Sequence, residues 1–262
     1  RDKRRRTRAT KAINNSQNIG EEEECARADC NDSCRKAIEA IDVAGIEKAL
    51  VSLQRLGEKL EQQMVVAAVH GHALGGGLEI ALSCSKIVAL AEAQVGLPEA
   101  KVGLIPAGRG TALARINNQD SAHRLAEVAL TLTEGITTNP DHAKALGILR
   151  KTDLTVYHPD RLLAEAKREA LAALPSVRAP WRTTEGPLTG MIERGVQGLR
   201  QSGRLTEYDE AIANKIKLVF AKSSSYEEAL ERERVEFAEL CFRALSQARI
   251  RHMLENGKPL RN

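Results

Sequence analysis

The sequence predicts a mixed α/β fold in which strands come early and helices come late. A short β-branched run, MVVAAV at 64–69, is typical of a buried strand. Glycines and two further strand-like runs follow it, whereas apolar residues after residue 156 recur at helical spacing between Pro and Gly. We therefore divide the 262 residues into a charged tail (1–34), an α/β core (35–155) and a helical C-terminal region (156–262).

The tail is predicted to be disordered because it has charge and no apolar period. Residues 1–11 carry seven Lys or Arg, and EEEE follows at 21–24. Aromatic residues make up only 3% of the chain, which disfavours base-stacking surfaces, so we expect no nucleic-acid partner. No apolar run approaches the ~20 residues of a membrane span.

The five cysteines indicate a reducing compartment, and we expect a cytoplasmic location. Three of them cluster in CARADCNDSC, as Cys25, Cys30 and Cys34. Their spacing is not that of a zinc site and no fourth ligand lies near, so we expect no metal site.

Element by element, residues 35–63 predict an amphipathic helix, broken near Gly45. We expect 64–155 to hold the strands and turns, with a helix in LEIALSCS (78–85) and strands in KIVALA (86–91) and QVGL (94–97). The C-terminal region predicts helices at 160–174, 188–202, 206–221, 225–240 and 243–255.

Three consecutive glycines, Gly75 to Gly77, stand where a strand gives way to a helix. A dinucleotide fingerprint fails because Ile80 occupies its last glycine position, a Walker loop fails because Gly77 follows Gly76, and no G-x-S-x-G is present. Two interpretations remain open. The backbone N–H groups hold an oxyanion, or the glycines only allow a tight strand-to-helix turn.

Two carboxylates follow the glycines in apolar surroundings. Glu79 lies in the first turn of the expected helix, and Glu99 follows Pro98. Two carboxylates that share an apolar site can have raised and separated pKa values, so that one gives a proton while the other takes one. The alternatives are a favourable charge at a helix N-terminus for Glu79 and an exposed loop position for Glu99.

HALGGGLEIALSC followed by AQVGLPEAKVGLIPAGRGT resembles the signature region of the crotonase superfamily, the enoyl-CoA hydratases and isomerases. AEVALTLTEGITTNPDHAKALGIL resembles the segment that follows the active site in that family. LTEYDEAIANKIKLVFA, ERERVEFAELC and ARIRHMLENGKPLRN resemble the C-terminal end of bacterial 3-hydroxyacyl-CoA dehydrogenases that carry such a domain.

The resemblance implies a ββα-spiral core, truncated or diverged on its N-terminal side, and then the helical region. It implies Glu79 as general base, Glu99 as general acid and the Gly76 N–H as an oxyanion donor. Arg109 would meet a CoA phosphate or be solvated. The full set of positions implied to contact substrate is Gly75, Gly77, Leu97, Pro106 and Arg109.

The implied activity is enoyl-CoA hydratase-type (hydro-lyase) chemistry on acyl-CoA thioesters in fatty-acid β-oxidation, as the C-terminal part of a 3-hydroxyacyl-CoA dehydrogenase-like protein. No cofactor is expected in this chain, and NAD is expected only where a separate dehydrogenase domain is present. A homo-oligomer, or a dehydrogenase or thiolase partner, is implied. The family's upstream loop, which supplies a second oxyanion N–H, has no recognisable counterpart in residues 1–63. The alternative is therefore a non-catalytic acyl-CoA-binding or scaffolding fragment.

Overall fold

The computed structural model describes residues 43–172, 178–183 and 187–262. The expectations for the charged tail and for Cys25, Cys30 and Cys34 lie outside the described residues. Contacts divide the chain into two units at residue 46, and only the first turn of one helix is described in the first unit. The other described elements lie in the second unit, 47–262.

Most predicted elements are present within a few residues of their expected bounds. The described elements are, in order, α1 (Val43–Gln62), β1 (Val66–Val69), β2 (His72–Leu74), α2 (Gly76–Leu82), β3 (Lys86–Leu90), β4 (Gln94–Gly96), a 3₁₀ helix (Glu99–Val102), α3 (Gly110–Asn117), α4 (Ala122–Glu134), β5 (Thr137–Thr138), α5 (Pro140–Leu146), β6 (Leu154–Val156), α6 (Pro159–Ala172), α7 (Pro187–Gln201), α8 (Glu207–Lys222), α9 (Tyr226–Cys241) and α10 (Ala244–Asn256). The prediction of a break near Gly45 is wrong, since α1 runs through it.

The strands form two small sheets. In the first, β1, β3 and β6 are all parallel, with Val66 opposite Lys86 and Val88 opposite Leu154. In the second, β2 pairs in parallel with β4, and β4 pairs antiparallel with β5. The predicted class is confirmed: a mixed α/β core is followed by a helical C-terminal region.

The parallel sheet is covered by α6, whose apolar face packs on it. Leu162 and Ala166 of α6 are buried together with Val88 and Val156 of the sheet. Because parallel strands are buried on their faces, β3 reads as an almost continuous apolar run. None of the helices in the described ranges is both long and apolar enough to cross a bilayer.

Residues 64–155 hold the predicted strands and turns, but 110–146 also holds three helices that the sequence did not predict. Their ends carry ordinary signals. Ser121 accepts the Arg124 N–H as the N-cap of α4, and Asn139 accepts the His142 N–H ahead of Pro140 at the start of α5. Glycines in left-handed conformation end both helices. Strands β2, β5 and β6 have only two or three residues, too few to show a period.

The second sheet brings the glycine turn and the Glu99 turn together. Since β2 and β4 are parallel, the segments that follow them leave the sheet at the same edge. Gly75 follows β2, and its N–H donates to the carbonyl of Gly96, the last residue of β4, at 2.9 Å. Glu79 in α2 and Glu99 in the 3₁₀ helix are thereby placed on either side of one turn.

Candidate active site

Glu79 is held inside the protein with one oxygen occupied. The residue is 3% exposed. Its Oε1 accepts the N–H of Gly108 at 2.8 Å and that of Gly110 at 2.7 Å. The predicted location in the first turn of α2 is confirmed, but the carboxylate serves the N-terminus of another helix, α3. Its Oε2 is not used by these two bonds.

Glu99 has a different environment, in which its own backbone N–H bonds to the carboxylate. The residue is partly exposed, yet its Oε2 is buried and has no hydrogen-bond partner within the described part of the chain. It begins the 3₁₀ helix directly after Pro98, at the end of the β4 segment. The alternative of an exposed loop residue is therefore wrong for its carboxylate.

The glycine turn separates the two carboxylates, and it needs glycine for two reasons. Gly75 has φ +55°, a conformation that L side chains rarely adopt. A Cβ at Gly75 would lie 2.8 Å from Glu99 Oε1, and a Cβ at Gly76 would lie 3.9 Å from Glu79 Oε2. The turn therefore lets its backbone approach both acids closely.

The environments of the two acids differ, and so do their proton affinities. Burial raises the pKa of Glu79 to about 7, against the lowering effect of the N–H groups of Gly110 and Gly108. Burial and the neighbouring charge of Glu79 raise the pKa of Glu99 well above its ordinary value. Ionisation is therefore disfavoured at both acids, and at Glu99 the charge of Glu79 disfavours it further.

Gly76 is the first residue of α2, so its N–H has no acceptor within the helix. No side chain caps this end of the helix. Gly77 is exposed, and a Cβ there would lie more than 4 Å from every described side chain and backbone atom outside its own surroundings. The backbone at this turn therefore offers donors to a group that enters from outside, which is the geometry an oxyanion requires.

Arg109 does not extend into solvent, so the expectation of a solvated side chain is wrong. It is fully buried. Its Nη2 pairs with Glu61 Oε2 and its Nε donates to the Tyr226 hydroxyl at 2.9 Å. The proposed contact with a CoA phosphate gains no support from this placement, because the guanidinium is enclosed by protein partners.

Leu97 and Pro106 are also buried, Leu97 at 1% exposure. The Pro106 carbonyl accepts the Thr111 hydroxyl at 2.7 Å, which fixes the turn into α3. Their assignment as substrate contacts stays a prediction, and what the structure gives them is a packing role beneath the turn.

Sequence reasoning missed a third buried acid, Glu233 in α9. It is fully buried and accepts the N–H groups of Arg109 at 3.2 Å and Ala112 at 2.5 Å. Gln54 Nε2 reaches it at 3.4 Å. It lies in the charged run ERERVEF, where one inward-facing glutamate cannot be distinguished from its solvated neighbours without the helix phase.

Among the described residues, no group of three His, Cys, Asp or Glu side chains is arranged to hold a metal ion. A surface cavity of about 500 Å³ is lined by Arg124, Lys144, Ala145 and Lys151, so neither Glu79 nor Glu99 contributes to it. We place the chemistry at Glu79 and Glu99 because buried titratable groups, N–H donors and a glycine turn converge there.

Residues 21–175 match the family model described as enoyl-CoA hydratase/isomerase. The chain belongs to this family. The matched range contains every residue predicted for the site, and it begins inside the region that the sequence suggested was a charged tail.

Relatives include proteins with the predicted names. A probable 3-hydroxyacyl-CoA dehydrogenase of Bacillus subtilis is 35% identical over 221 residues, which is 78% of this chain and 28% of that protein. A crotonyl-CoA hydratase of Syntrophomonas wolfei is 37% identical over 117 residues, 44% of this chain and 41% of that protein. The human peroxisomal bifunctional enzyme is 47% identical over 91 residues, 34% of this chain and 12% of that enzyme. The chain thus spans about a quarter of the first relative.

Solved structures agree on the fold. An enoyl-CoA hydratase from Bacillus halodurans superposes with a TM-score of 0.51 at 19% identity, covering 84% of this chain and 74% of that one. At this level of identity the likeness supports the crotonase-type fold alone.

Proposed function

We propose that this chain hydrates an α,β-unsaturated acyl-CoA thioester, with Glu79 as general base and Glu99 as general acid. The observation that carries the proposal is the pair of buried carboxylates, unlike in their hydrogen bonding, on either side of the Gly75–Gly76 turn. The family and the hydratase-named relatives support the reaction class.

In this reaction a water loses a proton to Glu79 as its oxygen bonds to the β-carbon. The electron pair of the α,β double bond moves toward the thioester, and negative charge develops on the carbonyl oxygen. Glu99 then transfers its proton to the α-carbon, which gives a 3-hydroxyacyl thioester. The net reaction adds one water to the acyl-CoA thioester, and Glu79 gains one proton while Glu99 loses one.

The division of roles follows from hydrogen bonding. Two N–H donors stabilise the ionised form of Glu79 and fix its orientation, so it serves as the base. Glu99 has an unpartnered buried oxygen, and the charge of Glu79 disfavours its ionisation, so it keeps a proton to give. The Gly76 N–H would stabilise the charge on the thioester oxygen, and one such donor contributes roughly 3–4 kcal/mol in comparable sites.

The larger context is also proposed. We infer that the chain acts in fatty-acid β-oxidation, in the cytoplasm, as part of a longer 3-hydroxyacyl-CoA dehydrogenase-like protein, as the name of the B. subtilis relative suggests. Acyl-CoA would be the substrate, with no cofactor bound by this chain. NAD would bind a separate dehydrogenase domain. We also propose that the chain forms a homo-oligomer or binds a dehydrogenase or thiolase partner. We expect no nucleic-acid partner.

The test is hydration of crotonyl-CoA, followed by loss of the conjugated thioester absorbance. Glu79→Gln and Glu99→Gln should each lower kcat by about 10²–10⁴-fold. Glu92→Gln, an exposed glutamate in the turn after β3, is the matched control and should keep the parent rate. A folded parent chain without activity would favour the second candidate, a non-catalytic acyl-CoA-binding or scaffolding fragment.

A further inference from the structure

Two buried acids from different helices bind the backbone N–H groups of one turn, which spans residues 108–112. Glu79 of α2 accepts the N–H groups of Gly108 and Gly110. Glu233 of α9 accepts those of Arg109 and Ala112. Along the turn, successive N–H donors bind Glu79 and Glu233 alternately. The turn therefore cannot rotate relative to one acid without breaking its hydrogen bonds to the other.

The turn is strained and tightly enclosed where the two acids hold it. Arg109 has φ +103°, which is rare for a residue with a side chain. A Cβ at Gly108 would lie 2.7 Å from Glu79 Oε2, and one at Gly110 would lie 2.6 Å from Glu79 Oε1. Such a conformation persists only where surrounding groups fix it, and Glu233 binds the N–H of the strained residue itself.

We propose that Glu233 is a positioning residue for Glu79, because it fixes the turn whose N–H groups orient the Glu79 carboxylate. The inference rests on the proposed function. Glu233 is fully buried and bonded to protein groups, so it acts through the turn and not on the substrate.

The charge of Glu79 also acts on Glu233. Burial raises the pKa of Glu233, and Glu79 raises it further, against the Ala112 and Arg109 N–H groups and the Arg109 cation. Within the described residues, the three neighbours in hydrogen-bond reach of Glu233 are all donors. The titratable and charged groups near this pair include Glu99 beside Glu79, Arg109 and Tyr226 beside Glu233, and Arg234, which binds the Gln54 amide.

Two substitutions test how Glu233 holds the turn. Glu233→Gln keeps the length of the side chain but replaces one acceptor oxygen by an NH2 group, which cannot accept the Arg109 or Ala112 N–H, whereas Glu233→Asp keeps both oxygens and withdraws them from the turn. Glu236→Gln is the matched control: it lies on the same helix, is also buried, and pairs with Lys215 at 2.7 Å.

The readout is the titration of Glu79, followed by the ¹³C resonance of its labelled carboxyl group and identified by its absence in Glu79→Gln. The Gly108 and Gly110 N–H groups favour the ionised form of Glu79, so loosening their turn by Glu233→Gln should move the midpoint to higher pH by about one pH unit. Glu233→Asp should move the midpoint in the same direction and lower kcat for crotonyl-CoA by about tenfold, with KM unchanged. Glu236→Gln should change neither.

An unmoved Glu79 midpoint in folded Glu233→Gln, or an unchanged kcat in Glu233→Asp, would overturn the inference. Should Glu233→Gln not fold, the Asp variant still decides the positioning role. The NMR titration needs no activity, so it would fail or succeed independently of the proposed hydration. An inactive parent whose Glu79 midpoint still responds to Glu233 would overturn the proposed function alone.

Discussion

Arg249 donates a hydrogen bond from Nη1 to the carbonyl oxygen of Ala100 at 3.0 Å, and this contact joins α10 to the turn that carries Glu99. Arg249 is 2% exposed. Its Nη1 also binds Asp209 Oδ1 at 2.6 Å, and its Nε binds Asn262 Oδ1 at 2.7 Å. Ser246 of the same helix donates to the Gly103 carbonyl, so α10 holds the Glu99 turn at two places.

We expect Arg249→Ala to destabilise the protein and to slow hydration. Removing the cation leaves Asp209 without its buried partner, which costs about 3–5 kcal/mol of the free energy of unfolding when a buried pair is broken. The Glu99 turn also loses a donor. Urea unfolding and crotonyl-CoA kinetics measure both effects. Arg261→Ala removes an exposed arginine that binds backbone carbonyls, and it should change the unfolding free energy by about 0.5 kcal/mol or less.

Arg109 is predicted to support structure and not CoA binding. Arg109→Met should lower the free energy of unfolding by about 3 kcal/mol, because the buried Glu61 pair and the Tyr226 hydrogen bond are lost. The KM for crotonyl-CoA should stay within about twofold of the parent value, since a variant that loses no substrate contact keeps its binding.

Arg178→Met is the matched control for Arg109→Met, since Arg178 pairs with the same Glu61 carboxylate at 2.6 Å but is partly exposed. Its loss should cost about 1 kcal/mol or less. A rise of about tenfold or more in KM for Arg109→Met, with stability retained, would instead support the contact with a CoA phosphate.

Gly75→Ala should abolish most activity, because the added methyl group would meet Glu99 Oε1 at 2.8 Å. We expect kcat to fall by about 10²-fold, the effect of a displacement of catalytic groups by roughly 1 Å. Gly71→Ala is the matched control. Gly71 also has a positive φ, +63°, but no atom of the described residues lies within 4 Å of the Cβ that the substitution would add. Both variants should lose about 1–2 kcal/mol of stability, because φ is positive at both positions. Equal activity in the two would show that the Glu99 contact does not matter.

Because the pKa of Glu79 is raised in the folded protein, the free energy of unfolding depends on pH. The folded protein holds this proton up to about pH 7, and the unfolded chain releases it near the ordinary glutamate pKa of 4.5. The stabilising effect of the bound proton is therefore complete below about pH 4.5 and is lost as the pH rises to about 7.

Glu79→Gln should remove this dependence. A shift of this size corresponds to roughly 3 kcal/mol. The free energy of unfolding of the variant, relative to that of the parent, should therefore increase between pH 5 and pH 8, as urea unfolding at a series of pH values measures. A difference that is constant across this range would contradict the buried, perturbed state of Glu79.

Local sequence patterns predicted a role for two acids and for the glycine turn, but they did not predict a role for the third acid, Glu233. Glu79 and Glu99 lie in apolar stretches beside glycines, so their role could be proposed from local pattern. Glu233 is brought to the Arg109 turn from more than a hundred positions away, by the packing of α9 against α3. No local pattern encodes that packing.

Arg109 shows the same limit of local patterns, because the sequence around it suggested exposure and the side chain is buried. An arginine between two glycines suggests an exposed loop that could bind a phosphate. Its burial follows from Glu61 in α1 and Tyr226 in α9, which are distant in sequence and meet only in the folded protein. Helices with strong caps and long apolar stripes, such as α8 with its Thr206 capping box, could be predicted almost to the residue.

The most direct test of the Glu79–Glu99 pair is the pH dependence of kcat/KM for crotonyl-CoA hydration by the parent chain. The base must be ionised and the acid protonated, so the rate should rise with pH as Glu79 ionises near pH 7 and fall at higher pH as Glu99 loses its proton. Glu79→Gln should lose the rising limb, and Glu99→Gln the falling limb, together with most of the rate. A folded, acyl-CoA-binding chain that hydrates nothing at any pH, or a profile that both substitutions leave unchanged, would contradict the account.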